Sequence, residues 1–315
     1  MGNQPFCSII IPALNEGENL KESLNSLLNQ SYPKDRYEII VVDNGSTDQT
    51  LNIATKMADH AYVLKDVNVG AVRNYGASQS QGDILICTDA DCVVDNDWLS
   101  NGVSLLLENK ESVFGGGLKP RNNPSWVERY WLLNDDGNAI QQNDLMGSCI
   151  YCWKKDFDSV GGFDERVSSG EDSDISSRFK SLGLSVFLKG CLSVVHLGTP
   201  QTVKVFVKRQ VWHSENYIKK IQASLSDKMF WLIILYLLSL ILLFQSLFDS
   251  SSSLSYLLLS QVFPALLSVK RVKRSNYKNI NMASFFKILV LDNLYLIGRV
   301  IGLLRGVKSM VLSKL

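Results

Sequence analysis

Asp83-Ile84-Leu85-Ile86-Cys87-Thr88-Asp89-Ala90-Asp91 is the stretch on which the reading of this chain turns. Ile84 to Thr88 are apolar or β-favouring residues without helical spacing, which predicts a buried strand. The run ends on two carboxylates separated by one small residue. Ligands of open α/β sheets bind beyond the carboxyl ends of the strands, so Asp89 and Asp91 are expected in such a crevice. Two carboxylates there can meet one hard cation, and oxygen ligands suit Mg²⁺ or Mn²⁺. A competing reading makes Asp91 the cap of a helix starting near Asp95 and Asp89 a plain strand end.

Upstream, the pattern alternates strand and helix. Cys7-Ser8-Ile9-Ile10-Ile11-Pro12 reads as a short buried strand stopped by proline, and Leu20, Leu24, Leu27 and Leu28 follow at helical spacing. Tyr37 to Val42 is a second strand ending on Asp43, with Asn44-Gly45 as a turn and Ser46-Thr47-Asp48 offering N-caps for a helix to about Ala58. Ala61 to Leu64 is a third strand, and Gly70 to Ser80 a helix carrying Arg73 and Asn74. This order predicts a mostly parallel, doubly wound sheet flanked by helices. No Gly-x-Gly-x-x-Gly follows the first strand and no Gly-x-x-x-x-Gly-Lys-Ser/Thr loop is present, so neither a dehydrogenase nor a P-loop is indicated. A nucleotide can still be read by a carboxylate at Asp43, whose alternative role is to start the Asn-Gly turn.

Downstream, Asp97 to Asn109 is expected as a helix and Val113 to Leu118 as a strand broken by Gly115-Gly116-Gly117. Trp126 to Leu133 reads as an aromatic helix flanking an acceptor groove or belonging to the core. Met146 to Tyr151 reads as a strand whose small residues allow close approach. In Ser169-Gly170-Glu171-Asp172-Ser173-Asp174 the acids gather at a helix start, where the dipole favours negative charge. Leu184 to Leu188 and Leu192 to Val195 are further strands, the latter leading into His196, which is read as a strand-end residue or a metal ligand.

With 315 residues, 46% hydrophobic content and a formal charge of +1, the chain suggests neither disorder nor a nucleic-acid partner. The first residues are too short and polar for a signal peptide, so the catalytic part is expected on the cytoplasmic side. Of six cysteines only Cys149 and Cys152 form a C-x-x-C, without a second pair, which argues against zinc and for free thiols. Three segments are expected: 1–200, an α/β domain; 201–228, a basic amphipathic helix; and 229–315, membrane-associated helices. Met229 to Phe248 is free of charge and long enough to span a bilayer. Asp249 to Ser253 is a polar turn, and Leu254 to Val269, with Pro264 inside, completes a hairpin whose Lys/Arg-flanked ends are expected in the cytoplasm. Phe285 to Leu304 carries Lys287, Asp292 and Arg299 and is read as interfacial or re-entrant.

Five motifs together, Ser8–Glu16, Val41–Asp48, Arg73-Asn74-x-Gly76, Asp89-Ala90-Asp91 and Gly170-Glu171-Asp172-x-Asp174, make residues 6–200 resemble a family 2 glycosyltransferase of GT-A fold. The resemblance implies an inverting enzyme that uses a nucleotide-diphosphate-sugar donor, a divalent metal (Mn²⁺ or Mg²⁺), and a lipid-linked or saccharide acceptor at the cell membrane. It implies Pro12, Asn15, Glu16, Asp43, Arg73 and Asp89 in donor binding, Asp91 and His196 at the metal, Asp172 as general base and Glu171 as its neighbour. Gln210-Val211-Trp212 lacks the arginine of the processive relatives' motif, which speaks against a polymerising synthase. A non-catalytic nucleotide-sugar-binding scaffold of the same fold and a nucleotidyltransferase are the competing readings.

Overall fold

The computed structural model describes residues 4–134, 144–167, 170–219, 221–246, 248, 253–275, 277 and 280–312. The chain divides into two compact units, one of Met1–Arg121 and Asn134–Gly198, the other of Asn122–Leu133 and Thr199–Leu315. The turn expected at Asp249 to Ser253 and the Ser169 position lie outside the described residues, apart from the backbone of Ser253.

The first unit is built on β1 (Cys7–Ala13), β2 (Tyr37–Asp43), β3 (His60–Val63) and β4 (Ile84–Cys87), followed by β5 (Cys92–Val93), β6 (Ser112–Gly115), β7 (Leu118–Lys119), β8 (Ile150–Trp153), β9 (Ser185–Leu188) and β10 (Val194–His196). Seven of them form one sheet in the order β3-β2-β1-β4-β8-β6-β9; β5-β10-β7 form a small second sheet. β8 runs antiparallel to both β4 and β6, and the other pairs of the large sheet are parallel. Alternation along the strands feeds both faces. Ile9, Ile11, Ile84 and Ile86 enter one core with Leu20, Leu24 and Trp98, while Ile10, Leu85 and Cys87 enter another with Phe157, Phe163 and Phe179. The helices covering the sheet are α1 (Gly17–Leu28), α2 (Thr50–Met57), α3 (Val69–Gln79), α4 (Trp98–Glu108), α6 (Lys154–Ser159) and α7 (Glu171–Ser181). α5 (Trp126–Leu132) belongs to the second unit.

Two expected strands are shorter than their sequence pattern. The run Val113 to Leu118 splits into β6 and β7, which lie in different sheets. A Cβ on Gly116 would stand 2.0 Å from the Leu192 carbonyl oxygen, so the chain passes there against another backbone and changes sheet. Of Met146 to Tyr151 only the end joins β8. The pair Cys149 and Cys152 sits on opposite faces, Cys149 in one core and Cys152 in the other, so the two thiols cannot grip one ion.

In the second unit, α8 (Val203–Lys219) is followed by the short α9 (Ile221–Ser224), then α10 (Lys228–Ser246), α11 (Ser253–Arg274) and α12 (Met282–Leu312). α8 and α12 approach closely because glycines recur every fourth residue on α12. A Cβ on Gly302 would meet the Val211 carbonyl oxygen at 2.1 Å, and one on Gly298 would meet the Gln210 Cβ at 2.8 Å. The stretch expected to lie in a membrane interface is thus part of a 31-residue helix that buries Ile288, Leu291, Leu296, Val300 and Leu303 within the unit. Its Asp292 accepts from Arg271 Nη1 at 2.6 Å and from Ser268 Oγ at 2.7 Å. The aromatic α5 is core: Val127 and Tyr130 pack with Phe206, Ile288 and Leu291. Among the described residues α10 is the one helix long and apolar enough to cross a membrane, with Leu235, Leu238 and Phe244 turned outward.

Candidate active site

β4 ends at Cys87, and the chain turns through Asp89 and Asp91 before two residues of β5 pair antiparallel with β10. That pairing sets Cys92 opposite His196, and the Leu197 amide donates to the Asp91 carbonyl at 2.7 Å. The result brings the late histidine to the acidic turn, with His196 Nδ1 3.2 Å from Asp91 Oδ2. The contact lacks hydrogen-bond geometry, and this buried Nδ1 has no hydrogen-bond partner. Ligand atoms of Asp89, Asp91 and His196 all lie within 4.8 Å of one another. Two carboxylates and an imidazole nitrogen that face each other without bonding suit a divalent cation such as Mn²⁺. Burial pushes the Asp91 carboxyl above its ordinary range; His196 pulls it down, while Asp89 and Glu16 push it further up. Gly198 completes the cradle: a Cβ there would stand 2.7 Å from Asp91 Oδ2 and 2.8 Å from His196 Cε1.

Asp89 faces two ways. Its Oδ1 accepts from Arg73 Nη2 at 2.7 Å, and Arg73 Nη1 donates to Glu171 Oε1 at 2.9 Å. Arg73 is 3% exposed, so it meets the cleft through Asp89 rather than as a free side chain. Burial works against its charge, but the carboxylates of Asp89 and Glu171 hold the guanidinium above the usual arginine range. Asp172, the next residue of α7, is partly exposed and accepts from the Ser173 amide at 2.8 Å.

A cleft of about 290 Å³ beside the acids is lined by Pro12, Leu14, Glu16, Val72, Asp89 and Asp91 among others. The loop after β1 is laced to the loop after β2. Asn15, with φ of 55°, accepts from the Thr47 amide at 2.8 Å, and the Glu16 amide donates to Thr50 Oγ1 at 2.8 Å. Asp43 is 1% exposed. Its Oδ2 accepts from the amides of Gly45 and Ser46, whereas Oδ1 is buried and unpartnered, an acceptor held ready for an N–H or O–H donor.

Every residue singled out from sequence for the donor or the metal therefore lies on β1, β2, α3 or β4 or in the loops that follow these strands, except His196, which arrives from β10. Sequence reading missed Gly147 and Gly198. Both are glycines because a neighbouring polar side chain fills the space of a Cβ: Arg73 Nη2 at 2.4 Å for Gly147 and Asp91 for Gly198. The only sequence signals are a small residue in Met146-Gly147-Ser148 and one just past His196.

The cradle yields a prediction. Gly198→Ala should weaken Mn²⁺ binding, measured by calorimetry, by roughly tenfold to a hundredfold, as loss of a supporting contact around a metal does. An unchanged affinity would mean that the ion, if bound, lies elsewhere.

Residues 8–154 match the family model "Glycosyl transferase family 2". Glycosyltransferase AglE of Haloferax volcanii is 34% identical over 193 residues, which take in 58% of this chain and 64% of that protein. The beta-monoglucosyldiacylglycerol synthase of Nostoc sp. is 26% identical over 241 residues, 69% of this chain and 50% of the synthase. The chain thus spans about half to two thirds of the length of these relatives. Among solved structures, a mannosyltransferase from Pyrobaculum calidifontis in complex with GDP-Man and Mn²⁺ superposes with a TM-score of 0.57 at 18% identity, covering 96% of this chain and 88% of that one. The likeness extends to the fold: a mostly parallel sheet flanked by helices, with a helical C-terminal region. With the sheet, the acidic turn and the family match together, residues 8–154 match a family 2 glycosyltransferase domain, and the fold is of the GT-A kind.

Proposed function

We propose that the chain is an inverting, metal-dependent glycosyltransferase. It moves a sugar from a nucleoside diphosphate sugar to a hydroxyl of a lipid-linked or saccharide acceptor in surface polysaccharide or glycolipid synthesis. The observation that carries this reading is the convergence of Asp89, Asp91 and His196 beside the cleft walled by Pro12 and Glu16. The nucleotide lies over Pro12, Asn15 and Glu16, and the free Asp43 Oδ1 accepts an N–H of the base or a ribose hydroxyl. Asp91 and His196 hold the divalent ion, and Asp89 lies toward the ribose and donor sugar, fixed by Arg73. When bound, the ion supplies Lewis-acid stabilisation of the charge that develops on the departing diphosphate.

Asp172 is the general base. It takes the proton of the acceptor hydroxyl as that oxygen bonds to the anomeric carbon. The electron pair of the breaking C–O bond leaves with the nucleoside diphosphate. Attack opposite the leaving group inverts the anomeric configuration. Glu171 is less suited to the role, because its Oε1 already accepts from Arg73. A glycolipid synthase among the relatives and the outward apolar side chains of α10 support a membrane-bound acceptor, and the Lys/Arg residues flanking the apolar run argue for a catalytic unit in the cytoplasm.

Three measurements follow from this reading. Nucleoside diphosphate release from a panel of UDP- and GDP-sugars, with membranes supplying acceptor, should stop in EDTA and return with Mn²⁺. Asp172→Asn should lower turnover by roughly a hundredfold or more while leaving nucleotide binding near wild type. Asp174→Asn is the comparison, because Asp174 is paired with Arg178 at 2.6 Å rather than open to take a proton, and its loss should cost far less rate than Asp172→Asn. If Asp172→Asn keeps more than about a tenth of the rate, the base is another group. The full chain should also stay in the membrane pellet after carbonate washing, and release into the supernatant would remove the membrane assignment.

A further inference from the structure

We infer that Arg73 and Asn74, neighbours on α3, are positioning residues that fix Asp172 relative to the donor acids; this rests on the reading of Asp172 as base. Two separate links run from α3 to α7, and they reach α7 on either side of Asp172. The first is the Arg73 guanidinium, which joins Asp89 to Glu171, the residue before Asp172.

The second link starts at Asn74. Its Nδ2 donates to the Phe163 carbonyl and to Glu165 Oε1, each at 2.9 Å, and its Oδ1 accepts from the Phe163 amide at 2.8 Å. Asn68, which caps α3 by accepting from the Ala71 amide, also donates to the Glu165 carbonyl. The same turn is gripped from the other side by α7. Arg178 Nη1 donates to the Val160 carbonyl at 2.7 Å and the Gly162 carbonyl at 2.5 Å, while Arg178 Nη2 holds Asp174. Asn74, the 160–165 turn, Arg178 and Asp174 therefore form a continuous polar chain that ends two residues past Asp172.

The space around both side chains is shaped to them. A Cβ on Gly147 would stand 2.4 Å from Arg73 Nη2, and one on Gly162 would stand 2.5 Å from Asn74 Oδ1. Gly162 also has φ of 69°, where a side chain is strained. The Phe163 ring packs 5.4 Å from the Arg73 guanidinium. Hydrogen bonds that only stabilised the surface would not need bare backbone facing each of two consecutive side chains. A base held at two points keeps its distance to the reacting carbon, and displacement by about 1 Å can cost on the order of a hundredfold in rate.

Asn74 touches none of Asp43, Asp89, Asp91 or His196, so it separates positioning from donor binding. The test is a double-mutant cycle in the full-length enzyme, with turnover of the UDP- or GDP-sugar that the wild type uses and calorimetric binding of UDP or GDP with Mn²⁺. Asn74→Ala should lower kcat by roughly tenfold to a hundredfold. Nucleotide binding should hold within about threefold. In the Asp172→Asn background the same change should cost less than about twofold, because the group it positions is gone. Asn74→Ser keeps a hydroxyl donor toward Phe163 and should recover part of the rate; it also serves where the alanine variant does not fold. A kcat loss of equal size in both backgrounds, or none in either, overturns the inference while leaving Asp172 as base. An Asp172→Asn enzyme with near wild-type rate overturns the reading beneath it and the inference with it.

Discussion

Carboxylates crowd the carboxyl end of the sheet, and the buried guanidinium of Arg73 is what makes that crowding tenable. Glu16, Asp89 and Asp91 line one cleft, and Glu171 reaches Asp89 through Arg73. Like charges at such range repel by a few kcal/mol even at an effective dielectric of about 20. Arg73 balances Asp89 and Glu171 from inside the protein, where solvent screening is weak. Asp91 is less balanced: burial holds its carboxyl above its ordinary range against the pull of His196, and Asp89 and Glu16 push it further up. That imbalance supports the proposed ion site, in which a divalent cation between Asp91, Asp89 and His196 would supply the charge that the protein leaves out.

Much of this was legible in sequence where the signal is local. A run such as Ile84 to Thr88 can only be a strand or a short buried helix, and its flanks decide the matter. The Asp89-Ala90-Asp91 turn, the Asp43 strand end and the acids opening α7 all keep their expected elements. His196 is a harder case. It reaches the acids through a pairing of β10 with β5, a two-residue strand that no periodicity can announce. Gly147, Gly162 and Gly198 are harder still, because what makes them glycine is a side chain distant in sequence.

The second unit shows the same limit on a larger scale. Apolar content alone cannot distinguish a helix that faces lipid from one that faces another helix. α10 keeps much of its apolar surface outward, whereas α12 turns a row of glycines to α8 and buries Leu291, Leu296 and Leu303. The charges inside α12 hinted at the difference, since Asp292 needs the partners that Arg271 and Ser268 provide. Pro264, inside the second apolar run, is accommodated within the continuous α11.

The central claim is that the strand-end acids and His196 form one cation site against the donor diphosphate. Crystals grown with Mn²⁺ and UDP or GDP test it directly through the anomalous signal of manganese. The account predicts one peak in contact with Asp91 and His196, with the diphosphate on its open side and Asp89 adjoining. Bound nucleotide without a peak there, or a peak ligated by other residues, would contradict it.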